Sequence, residues 1–265
     1  MTKLITTLAF LLPAVTGADL LVAATSDLAP LGPAIEKEFA KTNGQRVRFT
    51  FASSGSLARQ IENGAPFDVF LSASDQYVRD LAAAGHVEGS SLIVYAQGRI
   101  ALWSADGTVR TLANLTKGSV KHLAIANPDH APYGLAARQA LERQGLWKPL
   151  SSKLVYGENV RQALQYAESR NADAVITSWT LLKGRGILLP LELHDPILEA
   201  GALVKTTAET RTALRFLQFL TSPAGRKILE EGGLFPVSAA AATPGSRDPV
   251  PGARRPSAAP RSGRR

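Results

Sequence analysis

Apolar residues in this chain alternate between short unbroken runs and positions spaced three or four apart. Leu20-Leu21-Val22-Ala23-Ala24 is a run that predicts a buried strand, and Leu28, Leu31, Ile35 and Phe39 follow with the spacing of one helix face over 28–40. The same alternation predicts a strand at 46–52, a helix at 55–63, a strand at 68–73 and a helix at 75–84 that Gly85 closes. Apolar segments at 92–96 and 100–103 lead into a second block, with strands at 123–126, 153–156 and 172–177 and helices at 133–144 and 158–169. A last block has a strand near Ala202-Leu203-Val204, a helix at 207–220 with Ala213, Phe216, Leu217 and Leu220 on one face, and a helix at 223–231 ending at Gly232-Gly233. Strand and helix in strict turn imply the α/β class, with parallel sheets and ligands at the carboxyl ends of the strands. Pro33 conflicts with this pattern, because it falls in the second turn of the first helix and should distort it. Asp68 and Asp75 stand where a strand and a helix should start, and are expected to stabilise those starts.

The two ends of the chain differ from this pattern. Met1-Thr2-Lys3, the apolar run Leu4 to Val15 and the small residues Thr16-Gly17-Ala18 have the layout of a secretory signal peptide over 1–18. Residues 239–265 are mostly Ala, Pro, Ser, Gly and Arg and have little to bury, so a disordered tail is expected there. The formal charge of +8 is concentrated in that tail, which carries Arg247, Arg254, Arg255, Arg261, Arg264 and Arg265 against Asp248 alone. The rest of the chain is near neutral, so the basic balance does not indicate nucleic acid as a partner. The chain has no cysteine, which excludes disulfides, thiolate metal sites, a cysteine nucleophile and a lipid-modified cysteine anchor.

Chemistry concentrates where strands give way to helices. Thr25-Ser26-Asp27 follows the first strand, and Phe51-Ala52-Ser53-Ser54-Gly55-Ser56-Leu57-Ala58-Arg59-Gln60 carries the second into its helix. Backbone N–H groups at a helix start have no intrahelical partner and lie at the positive end of the dipole, so such turns can hold an oxyanion without a buried Lys or Arg.

Together with Gly64-Ala65-Pro66-Phe67-Asp68-Val69-Phe70-Leu71-Ser72-Ala73, these segments resemble the molybdate-binding solute receptors of ABC importers, over about Leu20 to Val237. The resemblance implies a two-lobe periplasmic binding protein fold of type 2, each lobe a mainly parallel sheet flanked by helices, with the ligand in the cleft between them. It divides the chain into a first lobe at 19–96, a second at 97–194 and a return to the first at 195–238. Ser26 matches the family's first ligand serine and Ser54 its second. Asn127-Pro128-Asp129-His130-Ala131-Pro132-Tyr133-Gly134 matches a family turn that makes Tyr133 a backbone donor, and Glu158-Asn159-Val160-Arg161 does the same for Val160. Thr25, Asp27, Thr177 and Ser178 are secondary candidates at the same strand ends. Many relatives have Leu at the position of Asp27 and a tyrosine where Ile176-Thr177-Ser178 ends its strand. The Tyr133 hydroxyl is a candidate replacement for that phenol, and Asp27 is expected to cap its helix start through backbone N–H groups.

The resemblance further implies a monomer in the periplasm that captures molybdate or tungstate and passes it to the membrane permease of an ABC importer. No cofactor is expected, and molybdenum enters only as the centre of the bound oxyanion. The Gly-x-x-x-x-Gly-Lys-Ser/Thr loop is absent, which leaves ATP handling to a partner chain. Two other readings are weighed against this one. A receptor for phosphate or sulfate would use the same fold, and phosphate would gain from an acceptor such as Asp27 facing the cleft. A serine-type enzyme is more remote, because Gly-x-Ser-x-Gly is absent and His86, His122, His130 and His194 show no metal-binding spacing.

Overall fold

A computed structural model describes residues 19–237, so the leader at 1–18 and the Arg-rich segment at 239–265 lie outside the described residues. The chain runs β1 (Leu20–Thr25), a 3₁₀ turn (Ser26–Leu28), α1 (Gly32–Asn43), β2 (Val47–Ala52), α2 (Ser54–Glu62), β3 (Val69–Ser72), α3 (Asp75–Ala83) and β4 (Ile93–Gly98). It continues through β5 (Ile100–Trp103), β6 (Leu123–Ala126), α4 (Pro132–Arg143), α5 (Trp147–Leu150), β7 (Leu154–Gly157), α6 (Val160–Glu168), β8 (Ala174–Ser178), α7 (Trp179–Leu182) and β9 (Ile187–Leu188). It ends with β10 (Ile197–Leu203), α8 (Thr210–Thr221) and α9 (Pro223–Glu231).

Two five-stranded sheets result, ordered β2-β1-β3-β10-β4 and β7-β6-β8-β5-β9. The chain passes from one to the other between Gly98 and Ile100 and returns between β9 and β10, so two crossings join two lobes. In each sheet three strands are parallel, while β10 pairs antiparallel with β3 and β4, and β5 with β8 and β9. Each sheet is therefore mixed, because the crossing strands enter against the direction of the β-α units.

Side-chain alternation builds the first lobe's two cores. Leu20, Val22 and Ala24 of β1 join α1, α8 and α9 through Ile35, Phe39, Phe216, Leu220 and Leu229, while Ala23 faces Leu57 and Ile61 of α2 and Val78 of α3. Phe39 meets Phe216 edge-to-face, with ring centroids 5.2 Å apart at 84°. The second lobe has one core around β6 and β8, built on Ile125, Ala137, Leu141, Leu164 and Val175.

Pro33 does not distort α1. The helix begins at Gly32, not at residue 28, which puts Pro33 in its first turn, where a missing N–H breaks no bond. The Leu28 position of the periodic pattern belongs instead to the preceding 3₁₀ turn. Strand β10 starts at Ile197, five residues before the predicted segment, and all seven of its residues are buried. Glu199 and Gly201 interrupt its apolar run and hide its length. Asp68 accepts from Leu21 N at 2.7 Å and from the Thr207 hydroxyl, tying the start of β3 to the return segment. Asp75 lies in the first turn of α3, which Ser74 caps.

Phe39 is fully buried and bridges α1 to α8, so Phe39→Ala should lower stability by about 3–5 kcal/mol. Urea unfolding followed by circular dichroism would measure this loss.

Candidate functional site

Four strand ends meet between the lobes. Thr25 and Ser26 follow β1, Ala52 and Ser53 follow β2, Ala131, Pro132 and Tyr133 open α4 after β6, and Asn159 and Val160 open α6 after β7. These residues line one cavity with ≈ 180 Å³ of space, part of it continuous with solvent.

The capping at each helix start determines which amides remain for a ligand. In α6, Asn159 Oδ1 accepts from Arg161 N at 3.0 Å and Gln162 N at 3.1 Å, and Ala163 N bonds Asn159 O, which leaves the first amide, Val160 N–H. In α4, Pro132 has no N–H, so Tyr133 supplies the first amide. In α2, Ser53 Oγ accepts from Ser56 N and Gly55 N bonds His130 O at 2.9 Å, leaving Ser54 N–H. Ser26 opens the 3₁₀ turn after β1, where Thr25 makes no side-chain cap. Ser26 is 1% exposed and its buried hydroxyl has no protein partner, although buried hydroxyls rarely lack one.

The structure thus brings Ser26, Tyr133, Val160 and Thr25 to one cavity. Ser54 is not part of that lining: it is fully buried beside the lining residue Ser53, and its Oγ accepts from Ala73 N at 3.0 Å while its own hydroxyl hydrogen stays available. Thr177 and Ser178 are turned elsewhere. Thr177 Oγ1 donates to Val160 O at 3.0 Å, fixing the start of α6, and Ser178 Oγ pairs with Thr180 Oγ1 at 2.9 Å.

Two expectations need correction. Tyr133 does not present its phenol to the cavity as a substitute donor, because Tyr133 Oη lies 3.0 Å from both Asp27 Oδ2 and Glu199 Oε1. Nor does Asp27 cap its turn. Its Oδ2 faces Tyr133 from the opposite lobe, its Oδ1 has no partner, and it does not line the cavity. The apolar packing of the 3₁₀ turn buries Asp27 completely, which favours the phenol over a solvated cap. Burial pushes the Asp27 carboxyl up to about 7, offset only in part by hydrogen bonds from Tyr133 and Thr25. Burial, and then the nearby Asp27 charge, hold Glu199 well above the ordinary carboxylate range.

Further contacts hold the lobes together. His130 Nδ1 and Ser53 Oγ are 2.8 Å apart, and Thr180 Oγ1 donates to Asp27 O at 2.7 Å. Burial lowers the His130 pKa, which favours the neutral ring. Among the described residues no group of His, Cys, Asp and Glu is arranged to hold a metal ion. The cavity's donor set of amides and hydroxyls suits an anion and not a cation.

The model of the bacterial extracellular solute-binding proteins matches residues 20–235. The chain belongs to this family. The molybdate-binding protein ModA of Rhodobacter capsulatus is 33% identical to it over 84% of this chain and 90% of its own length. ModA of Azotobacter vinelandii is 35% identical over 75% of this chain and 82% of its own. Among solved structures, the Azotobacter vinelandii periplasmic molybdate-binding protein superposes with a TM-score of 0.76 at 29% identity, covering 83% of this chain and 100% of that one. The sulfate-binding protein SubI of Mycobacterium tuberculosis, at 15% identity and a TM-score of 0.68, shares the fold alone.

Sequence reasoning missed Ser53, Thr180 and Glu199. Ser53 directly precedes the nominated Ser54, and nothing in the sequence separated the capping hydroxyl from the first helical one. The signal for Glu199 was a single acid inside the apolar stretch Ile197 to Leu203.

Gly55 permits the close approach of the lobes, since a Cβ there would meet Tyr77 Oη at 2.7 Å and His130 O at 2.9 Å. Gly55→Ala should therefore spread the lobes and raise the radius of gyration seen by small-angle X-ray scattering. A variant with unchanged dimensions and higher thermal stability would reduce the substitution to a helix-propensity gain of about 1 kcal/mol.

Proposed function

We propose that this protein captures molybdate, and tungstate with it, and presents the closed complex to the membrane permease of an ABC importer. The observation that carries this reading is the Ser26 hydroxyl, buried without a protein partner at a cavity where first-turn amides converge from both lobes. A dianion in a dry cleft must have its hydration replaced by fixed donors, because an unpaired buried charge is far costlier than an imperfect neutral contact. Amide and hydroxyl dipoles meet that need without a counter-ion. Ser26, Ser54, Tyr133 and Val160 are the proposed donors, and they face the oxo groups of the anion, never the molybdenum.

The similarity to the molybdate-binding proteins of Rhodobacter capsulatus and Azotobacter vinelandii supports molybdate as the cargo. Cavity size then separates molybdate and tungstate from the smaller sulfate, since all three are tetrahedral dianions with similar acceptor patterns. Phosphate is disfavoured, because the one carboxylate that would accept its retained proton, Asp27, turns to Tyr133. Donors drawn from both lobes make the closed form the liganded form, and that closure is the signal the permease reads. We place the protein in the periplasm, acting as a monomer that carries no cofactor and performs no chemistry on its cargo. The Azotobacter neighbour is itself described as periplasmic.

Calorimetric titration tests this reading. Molybdate and tungstate should bind and raise the melting temperature, with sulfate and phosphate much weaker. Ser26→Ala should weaken molybdate binding by about 1–3 kcal/mol, which is roughly ten- to a hundredfold. Equal stabilisation by all four anions, or by phosphate alone, would contradict the assignment.

A further inference from the structure

Tyr133 Oη lies 3.0 Å from Asp27 Oδ2 and 3.0 Å from Glu199 Oε1. A phenol has one hydrogen and can donate it to one of these oxygens only. The other contact is a hydrogen bond only if a carboxyl O–H donates to the phenol oxygen. Two ionised carboxylates cannot make this geometry, so the arrangement itself requires one proton more than Asp27 and Glu199 carry in water near neutral pH.

The surroundings leave that proton no substitute. Both carboxyls are 0% exposed. Asp27 is faced by Tyr133 from α4, by the Thr25 hydroxyl of its own turn and by Glu199 from β10, while Thr180 of α7 reaches its backbone oxygen. Glu199 is faced by Asp27, by Tyr133 and by Tyr95 of β4, whose Oη donates to Glu199 Oε2 at 3.3 Å. Among the described residues, no Lys, Arg or His is a cause of the shift of either carboxyl. The backbone also shapes this contact. The β10–β4 register shifts between Glu199 and Ala200, a bulge of the kind that re-aims a side chain. A Cβ at Gly98, in the strand beside it, would collide with Tyr133 Oη.

Asp27 and Glu199 belong to the first lobe's elements and Tyr133 to the second's, so this cluster bridges the two lobes. We infer that Asp27 and Glu199 share one proton through Tyr133 in the closed protein, so that capturing the anion takes up a proton and releasing it returns one. This inference rests on the oxyanion reading above. The proton comes from solvent and ends as a carboxyl O–H, and no other bond changes. It also keeps two ionised carboxylates from standing beside a dianion. The elevated carboxyls agree with this sign: a group that binds its proton more tightly when closed favours closure at low pH and loses that favour as pH rises toward about 7.

The test is calorimetric titration of the full chain with sodium molybdate at one pH of about 6, between the ordinary carboxylate range and the raised Asp27 value of about 7, in buffers that differ in ionisation enthalpy. The slope of observed heat against buffer ionisation enthalpy counts the protons taken up. A positive slope, up to one proton per anion, is expected in the wild type, with affinity falling by at most about tenfold per pH unit. The slope should drop toward zero in Asp27→Asn and in Glu199→Gln, each of which supplies a neutral partner for the phenol. A zero slope in the wild type with binding intact overturns the shared proton, as does a slope unchanged in both variants. Absence of molybdate binding by the wild type would overturn the proposed cargo instead. The proton is then read from melting temperature against pH: a fall between about pH 5 and 8 that Glu199→Gln abolishes supports it, and an identical profile in both proteins overturns it.

Discussion

A charged group can occupy a water-poor cleft only if fixed donors surround it as completely as water did, and the rest of this structure follows from that requirement. One helix start offers one or two free amides, which is too few. Four starts, two from each sheet, supply enough, and they converge only because the chain crosses twice between sheets and lets their strand ends face each other. The caps divide the amides into those bonded within the fold and those left without a protein partner. Asn159 takes the second and third amides of α6, Ser53 takes the third of α2 while the His130 carbonyl takes the second, and Pro132 has none to give in α4, so Val160, Ser54 and Tyr133 carry the first amides left without a partner.

The same requirement explains how the lobes touch. Gly55 lets α2 approach the His130 carbonyl, and Gly98 leaves room for the Tyr133 phenol against β4. Both glycines lie where a backbone or a ring from the other lobe comes close, so their lack of a Cβ serves the interface. The polar pairs across the cleft are Ser53 with His130, Thr180 with Asp27 and Tyr133 with the two carboxyls, and two of their members, Ser53 and Tyr133, also line the cavity.

Much of this was legible in the sequence, for identifiable reasons. The β-α alternation is local and strongly periodic, so the parallel strands and their helices fall close to where the apolar pattern puts them. The hydroxyls at 25–26 and 53–54 stand at the starts of helical turns, where capping chemistry makes them expected, although only Ser53 caps its helix. Tyr133 and Val160 could not be found that way, because a backbone amide leaves no trace in the identity of its side chain. Only the resemblance nominated them. β10 and its Glu199 were less legible still. A strand buried on both faces has no alternation to read, and an acid within it looks like an interruption until its partners, Tyr95 and Tyr133, arrive from 104 and 66 residues away. The orientation of Asp27 was hidden for a related reason. Local rules favour a cap, and a phenol from the other lobe overrides them.

The most direct measurement of the central claim is a crystal structure of the protein grown with molybdate. The account predicts one anion between the lobes, its oxygens within hydrogen-bonding distance of the Ser26 hydroxyl and the amides of Tyr133 and Val160, with no Lys or Arg side chain touching it. An anion held by basic side chains, or bound anywhere outside this cavity, would contradict it.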